Sequence, residues 1–155
     1  MTPEAALALA PRAAALWGAG QPEPVKVREN AVFRMALPDG RTAALRLHRP
    51  DYQTEAGISA ELTWTAALAN GGFAVPLPAP TLSGQLTGQV GGVITSAVHW
   101  MPGTATSERA HGTEPALYAR IGALLGDLHN RTDRLAFART LDRPHWDLDG
   151  LLGPT

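Results

Sequence analysis

Two side chains of opposite charge carry the most chemistry in this chain: Arg46 at the end of a predicted strand, and Glu61 fifteen residues later in a predicted helix. A strand cation facing a helix carboxylate can grip an anionic group such as a phosphate. With Ile58 set at zero degrees and about 100° added per residue, Leu62, Thr65, Leu68 and Ala69 fall within one arc, and Glu61 falls inside it. A carboxylate on a core-facing stripe is costly unless a cation partners it. The same spacing also allows Glu61 to lie at the edge of the stripe and reach solvent. For Arg46 the ordinary alternative is an exposed sheet-face arginine. Strand alternation favours the pair, because Ala44 and Arg46 share a face while Ala43, Leu45 and Leu47 take the other. Ala44 is small enough to leave room for a flat ligand, and His48 continues that face towards the strand end.

Other reactive arrangements are absent from the sequence. There is no GxSxG elbow, HExxH pair, full Walker A loop or GxGxxG fingerprint. Ser96 and Ser107 have no evident His and Asp partners in the sequence, and His111 and His129 read as a linker residue and a helix-surface residue. The run His145, Trp146, Asp147, Leu148 and Asp149 superficially resembles a catalytic or metal-binding cluster. The segment follows a predicted helix with no strand pair to hold it, so a loop role is expected. Hence no catalytic residue and no metal ligand is assigned from the sequence.

The bulk numbers exclude further classes. The chain has 155 residues, enough for one domain with a real core. A net charge of -1 gives no footprint for nucleic acid or an anionic membrane. No cysteine is present, which removes disulfides, thiolate metal sites and thiol catalysis. The Ala- and Leu-rich start opens with Glu4 and is broken by Pro11 and Arg12, a poor signal peptide and too short for a membrane span. A cytoplasmic location fits these features. Lys26 is the single lysine against twelve arginines, so any task usually given to lysine falls to it or to an arginine.

The elements that must position Arg46 and Glu61 follow from pattern and punctuation. Residues 3–17 predict an amphipathic helix with Thr2 as N-cap and Pro3 at its first position, kinked or split at Pro11. Residues 25–27, 31–37 and 41–47 predict strands, the last two joined by the Pro38, Asp39, Gly40 turn. A helix is expected over 54–70, ended by Gly71 and Gly72. After a Pro-rich extended stretch, turn glycines at 84, 88, 91 and 92 predict another hairpin, whose second strand runs over 93–100. A polar linker then precedes a long helix over 114–134, with Leu117, Ile121, Leu124, Leu125 and Leu128 at helical spacing. The fold class is α+β: an antiparallel five-stranded sheet with one packed helix, an N-terminal helix, and a further helix beyond a linker.

In this order the segments resemble the N-terminal lobe of the aminoglycoside-phosphotransferase and choline-kinase-like enzymes, including the type II homoserine kinases. The resembling pieces are Glu29, Asn30, Ala31, Val32, Phe33 and Arg34; Ala44, Leu45, Arg46, Leu47, His48, Arg49 and Pro50; and Glu61 with Leu62. To them are added Gly72, Phe73, Ala74, Val75 and Pro76; His99, Trp100, Met101, Pro102 and Gly103; and the run 121–129. The match runs from about residue 24 to residue 150.

The resemblance implies a kinase-like N-lobe over residues 1–103, and a linker with the first helix of an incomplete C-lobe over 104–155. It implies that the turn at Arg28, Glu29 and Asn30 covers the phosphates and that Val32 and Ala44 wall the adenine. Arg46 would contact the α- and β-phosphates with Glu61 orienting it, and the His99 carbonyl and Met101 amide would bond the adenine edge. The nucleotide would be ATP or GTP with Mg²⁺, and the acceptor the hydroxyl of an amino alcohol, a homoserine-like compound or an aminoglycoside. Two departures stand out. Arg46 occupies a position where such enzymes usually carry lysine, and the two cations are not interchangeable. The family's His-Gly-Asp loop, its Asn and its later metal-binding Asp do not occur in these residues, so phosphoryl transfer by this chain alone is not expected. The competing expectations are a non-catalytic module that binds a partner or dimerises through helix 117–128, or a gene fragment without independent activity.

Overall fold

The structure is a computed structural model that describes residues 1–103 and 115–141. The polar connection at 104–114, with Ser107 and His111, and the 145–149 segment lie outside those residues. The element order is α1 (Pro3–Ala15), β1 (Glu23–Val27), β2 (Ala31–Ala36), β3 (Thr42–Leu47), α2 (Glu55–Asn70), β4 (Thr87–Val90), β5 (Val93–His99) and α3 (Pro115–Asp133), followed by a 3₁₀ turn at Ala136–Thr140.

Helix α1 starts where its cap dictates. Thr2 is extended, and its Oγ1 accepts the Ala5 N–H at 3.2 Å. The expected break at Pro11 does not split the helix, which runs through it. The carbonyl that Pro11 leaves without an i+4 partner is that of Leu7, a residue 49% exposed, where water can replace the missing donor. The inner face of α1 carries Ala6, Ala10, Ala13 and Ala14, all buried, and small side chains let the helix lie close on the sheet.

The five strands pair antiparallel in the order β1-β2-β3-β5-β4. Between β4 and β5 the chain reverses on Gly91 (φ 60°) and Gly92 (φ 78°), the two positive values that a tight type I′ hairpin needs. Between β2 and β3, Asp39 accepts the Arg41 N–H at 2.9 Å and its guanidinium at 2.6 and 2.8 Å. That pairing raises the Arg41 pKa and holds the Asp39 carboxyl below its ordinary range.

Alternation gives the sheet two different faces. Phe33, Ala43, Leu45, Leu47 and Ala97 join α1 and Trp17 in the main core. Burying a side chain such as Phe33 contributes about 1.5–3 kcal/mol. The opposite face carries Val32, Ala44, Arg46, Ser96 and Val98, and turns towards α2. Helix α2 buries Ile58, Leu62 and Leu68, none of them part of the main core cluster. Among the described residues no helix is long and apolar enough to cross a membrane.

Candidate functional site

The sheet face and α2 enclose a cavity of about 260 Å³. Strands β2, β3 and β5 supply its floor through Val32, Ala44, Arg46, Ser96 and Val98, with His48 just past the end of β3. Helix α2 supplies Ile58, Glu61, Leu62 and Thr65, and the extended segment after it closes one side with Val75 and Pro76. Register explains the convergence. Arg46 lies opposite Val32 on one side and Ser96 on the other, and Ala44 lies opposite Arg34 and Val98.

Of the eight residues singled out in the sequence, Val32, Ala44, Arg46 and Glu61 meet here. Arg46 is exposed on the sheet and Glu61 is half-buried on the facing helix. The cavity brings this predicted pair together.

The other four do not line the cavity. Glu29 is exposed in the β1–β2 turn. Asn30 stabilises that turn: its carbonyl accepts the Arg28 N–H and its Oδ1 accepts the Arg49 N–H at 3.0 Å. Its side chain therefore ties the turn to the exit of β3. His99 and Met101 lie at the end of β5 and just beyond it. The Trp100 N–H donates to the Thr42 carbonyl, whereas the His99 N–H donates away from β3 to the Leu77 carbonyl. Alternation then directs the backbone of His99 and Met101 away from β3. The His99 ring lies on the α1 face of the sheet, with a buried Nδ1 that makes no hydrogen bond. Burial pushes its pKa down, Arg41 adds to the effect and Asp39 opposes it.

His48 and Ser96 were underrated by the sequence. His48 Nε2 and Ser96 Oγ are 2.8 Å apart, so the serine has a histidine partner that sequence spacing did not reveal. Ser96 is only 3% accessible, which suits a structural bond better than an exposed nucleophile. Burial, helped by Arg46 and opposed by Glu61, brings the His48 pKa down to about 4. The histidine is therefore neutral at pH 7, and Arg46 is the only permanent cation among the described residues lining the cavity. The one sequence signal for His48 was its place two residues beyond Arg46 on the same face.

The geometry offers an apolar slot (Val32, Ala44, Val98, Leu62) opening beside one cation and one carboxylate. That arrangement suits a flat, partly apolar ligand carrying an anionic tail. A structure described as a microcompartment-associated aminopropanol kinase superposes with a TM-score of 0.72 at 23% identity, covering 93% of this chain and 46% of its own. An amicoumacin kinase solved with AMP-PNP and Ca²⁺ gives a TM-score of 0.62 at 18% identity, covering 84% of this chain and 38% of its own. The fold is thus that of kinase-like phosphotransferases, and the chain spans less than half the length of either relative. A search of curated proteins finds no match. A sequence profile of the phosphotransferase enzyme family matches residues 23–153, nearly the whole length, and the chain belongs to that family.

Proposed function

We propose that this chain is the nucleotide-binding lobe of an ATP-dependent small-molecule phosphotransferase acting on a hydroxyl acceptor. The observation that carries the reading is the shared cavity of Arg46 and Glu61 over the Val32 and Ala44 floor, in a chain of this family. Arg46 holds the α- and β-phosphates, Glu61 orients it, and the adenine lies on Val32 and Ala44. The backbone of His99 and Met101 meets the adenine edge, and the turn at Glu29 and Asn30 covers the phosphates. GTP is a second candidate nucleotide. Mg²⁺ would accompany the nucleotide phosphates in the complete enzyme.

Residues 1–103 make up this lobe and 104–155 the start of a second one. The acceptor belongs to a complete second lobe, and the chain alone does not transfer phosphate because its residues lack the His-Gly-Asp segment. A cytoplasmic location fits such a substrate. Thermal unfolding with and without MgATP tests the reading. Stabilisation that disappears in Arg46→Ala supports it, and an unchanged midpoint in the unmodified chain removes it.

One observation favours a second reading. Helix α3 exposes Tyr118, Ile121, Leu124 and Leu125, an apolar stripe of the kind that finds a partner. A homodimer through residues 117–128 would cover it, and sedimentation of the unmodified chain and of Leu124→Glu separates dimer from monomer.

A further inference from the structure

Helix α2 supplies the wall of the proposed site that faces the sheet. Its buried residues lie outside the main core, so the packing that fixes the sheet against α1 does not fix α2. Polar contacts pin it at both ends instead. At its start, Glu55 accepts from Thr87 Oγ1 at 2.8 Å and from Gln89 Nε2 at 2.9 Å, joining α2 to β4. Towards its other end it is joined to α3. Trp64 Nε1 donates to Thr132 Oγ1 at 3.0 Å, and Arg131 Nη1 donates to the Gly71 carbonyl at 2.8 Å. The Arg131 guanidinium also stands 5.5 Å from the centre of the Phe73 ring.

These contacts are built. Asp127, one turn earlier on α3, holds Arg131 Nε at 2.9 Å and aims the guanidinium. Gly71 caps the C-terminus of α2, where unpaired carbonyls and the helix dipole favour a cation. Thr132 in turn donates to the Leu128 carbonyl at 2.9 Å, which fixes the lone pairs it offers to Trp64. Trp64 lies three residues after Glu61, so the tether sits on the turn adjoining the cavity carboxylate.

We propose that Arg131 and Thr132 form a latch that sets the position of α2, so that α3 tunes nucleotide affinity through Glu61. Arg131 is a positioning residue and touches no ligand. The inference rests on the nucleotide reading and adds a control element on a different helix, with no residue in the cavity. When the latch is closed, Glu61 is held over the sheet face that carries Arg46. When it is open, α2 keeps only its N-terminal ties and its few apolar contacts.

The test is calorimetric titration of MgATP into the full chain, its Arg131→Ala and Arg131→Lys variants, and the same Arg131→Ala change made in a Glu61→Ala background. Arg131→Ala should weaken binding about five-fold or more, within the usual range of coupling between sites, with the thermal midpoint nearly unchanged. Arg131→Lys, which keeps a cation at the Gly71 carbonyl, should recover part of the loss. In the Glu61→Ala background the Arg131 change should have little further effect, because the two act in series. Equal affinity in the unmodified chain and Arg131→Ala overturns the latch, as does an equal loss in both backgrounds. Failure of the unmodified chain to bind MgATP is a different result: it removes the nucleotide reading and the latch with it. If Arg131→Ala unfolds, Thr132→Val, which removes only the Trp64 bond, decides by the same comparison with a smaller change.

Discussion

His48 and Ser96 share a 2.8 Å hydrogen bond between β5 and the end of β3, on the sheet face that forms the cavity floor. The bond lets an imidazole stay buried without its charge, and it places a titratable group beside both Arg46 and Glu61.

This burial makes stability depend on acid. The folded pKa of His48 is about 4, below the ordinary 6.5, so between those values the unfolded chain binds more protons than the folded one. Stability from this group is therefore fully present above pH 6.5, is lost as the pH falls towards 4, and changes no further below that. The full loss is on the order of 3 kcal/mol. Urea denaturation of the native chain and of His48→Gln from pH 7.5 to 4.5 should show the native chain losing ground to the variant. Parallel curves would contradict the assignment.

Ala44 is half-buried and borders the cavity where a flat ligand would lie. Ala44→Leu should fill that slot while changing stability by less than about 1 kcal/mol, as is usual outside the tight core. MgATP affinity should then fall by about ten-fold or more, since one methyl-sized clash at a contact is enough. Calorimetry beside a melting curve checks both halves.

Gly88 of β4 lies beside Leu16, the C-cap of α1. A Cβ there would stand 2.5 Å from Leu16 Cδ1, so the leucine must move. Gly88→Ala should destabilise by about 1–3 kcal/mol through overpacking. Combining it with Leu16→Ala should cost less than the sum of the two changes, because the clash disappears. Strict additivity in chemical denaturation would point to a different cause.

Trp17 is 2% exposed, and its Nε1 donates to the Ala79 carbonyl at 2.8 Å, fastening the extended segment beside the cavity. Trp17→Phe leaves that carbonyl without its donor, for about 1–3 kcal/mol, and the lost ring volume adds to it. Hydrogen exchange at the Ala79 amide, which donates to the Ala97 carbonyl, should quicken as the segment loosens.

Much of this protein was legible in its sequence because the signals were local. Thr2 is a side-chain cap, Pro38 to Gly40 and Gly91 with Gly92 are turns, and period-two alternation put Arg46 on the face opposite Leu45. Each depends on residues within a few positions of one another, where backbone sterics and short hydrogen bonds decide. Arg46 and Glu61 were found in the same way, one by strand phase and the other by helical phase.

What only tertiary structure decided lies between elements far apart in the chain. That β3 is flanked by β5, with β4 at the sheet edge, is set by which edges pair after the chain crosses over, and it alone brings Ser96 to His48. The latch likewise joins Trp64 to Thr132 and Gly71 to Arg131 across more than half a hundred residues. No periodicity in either helix announces it, because a single long-range hydrogen bond leaves no repeating pattern in sequence. The residue types for the site were written locally; their meeting depended on strand order and on where α2 came to rest.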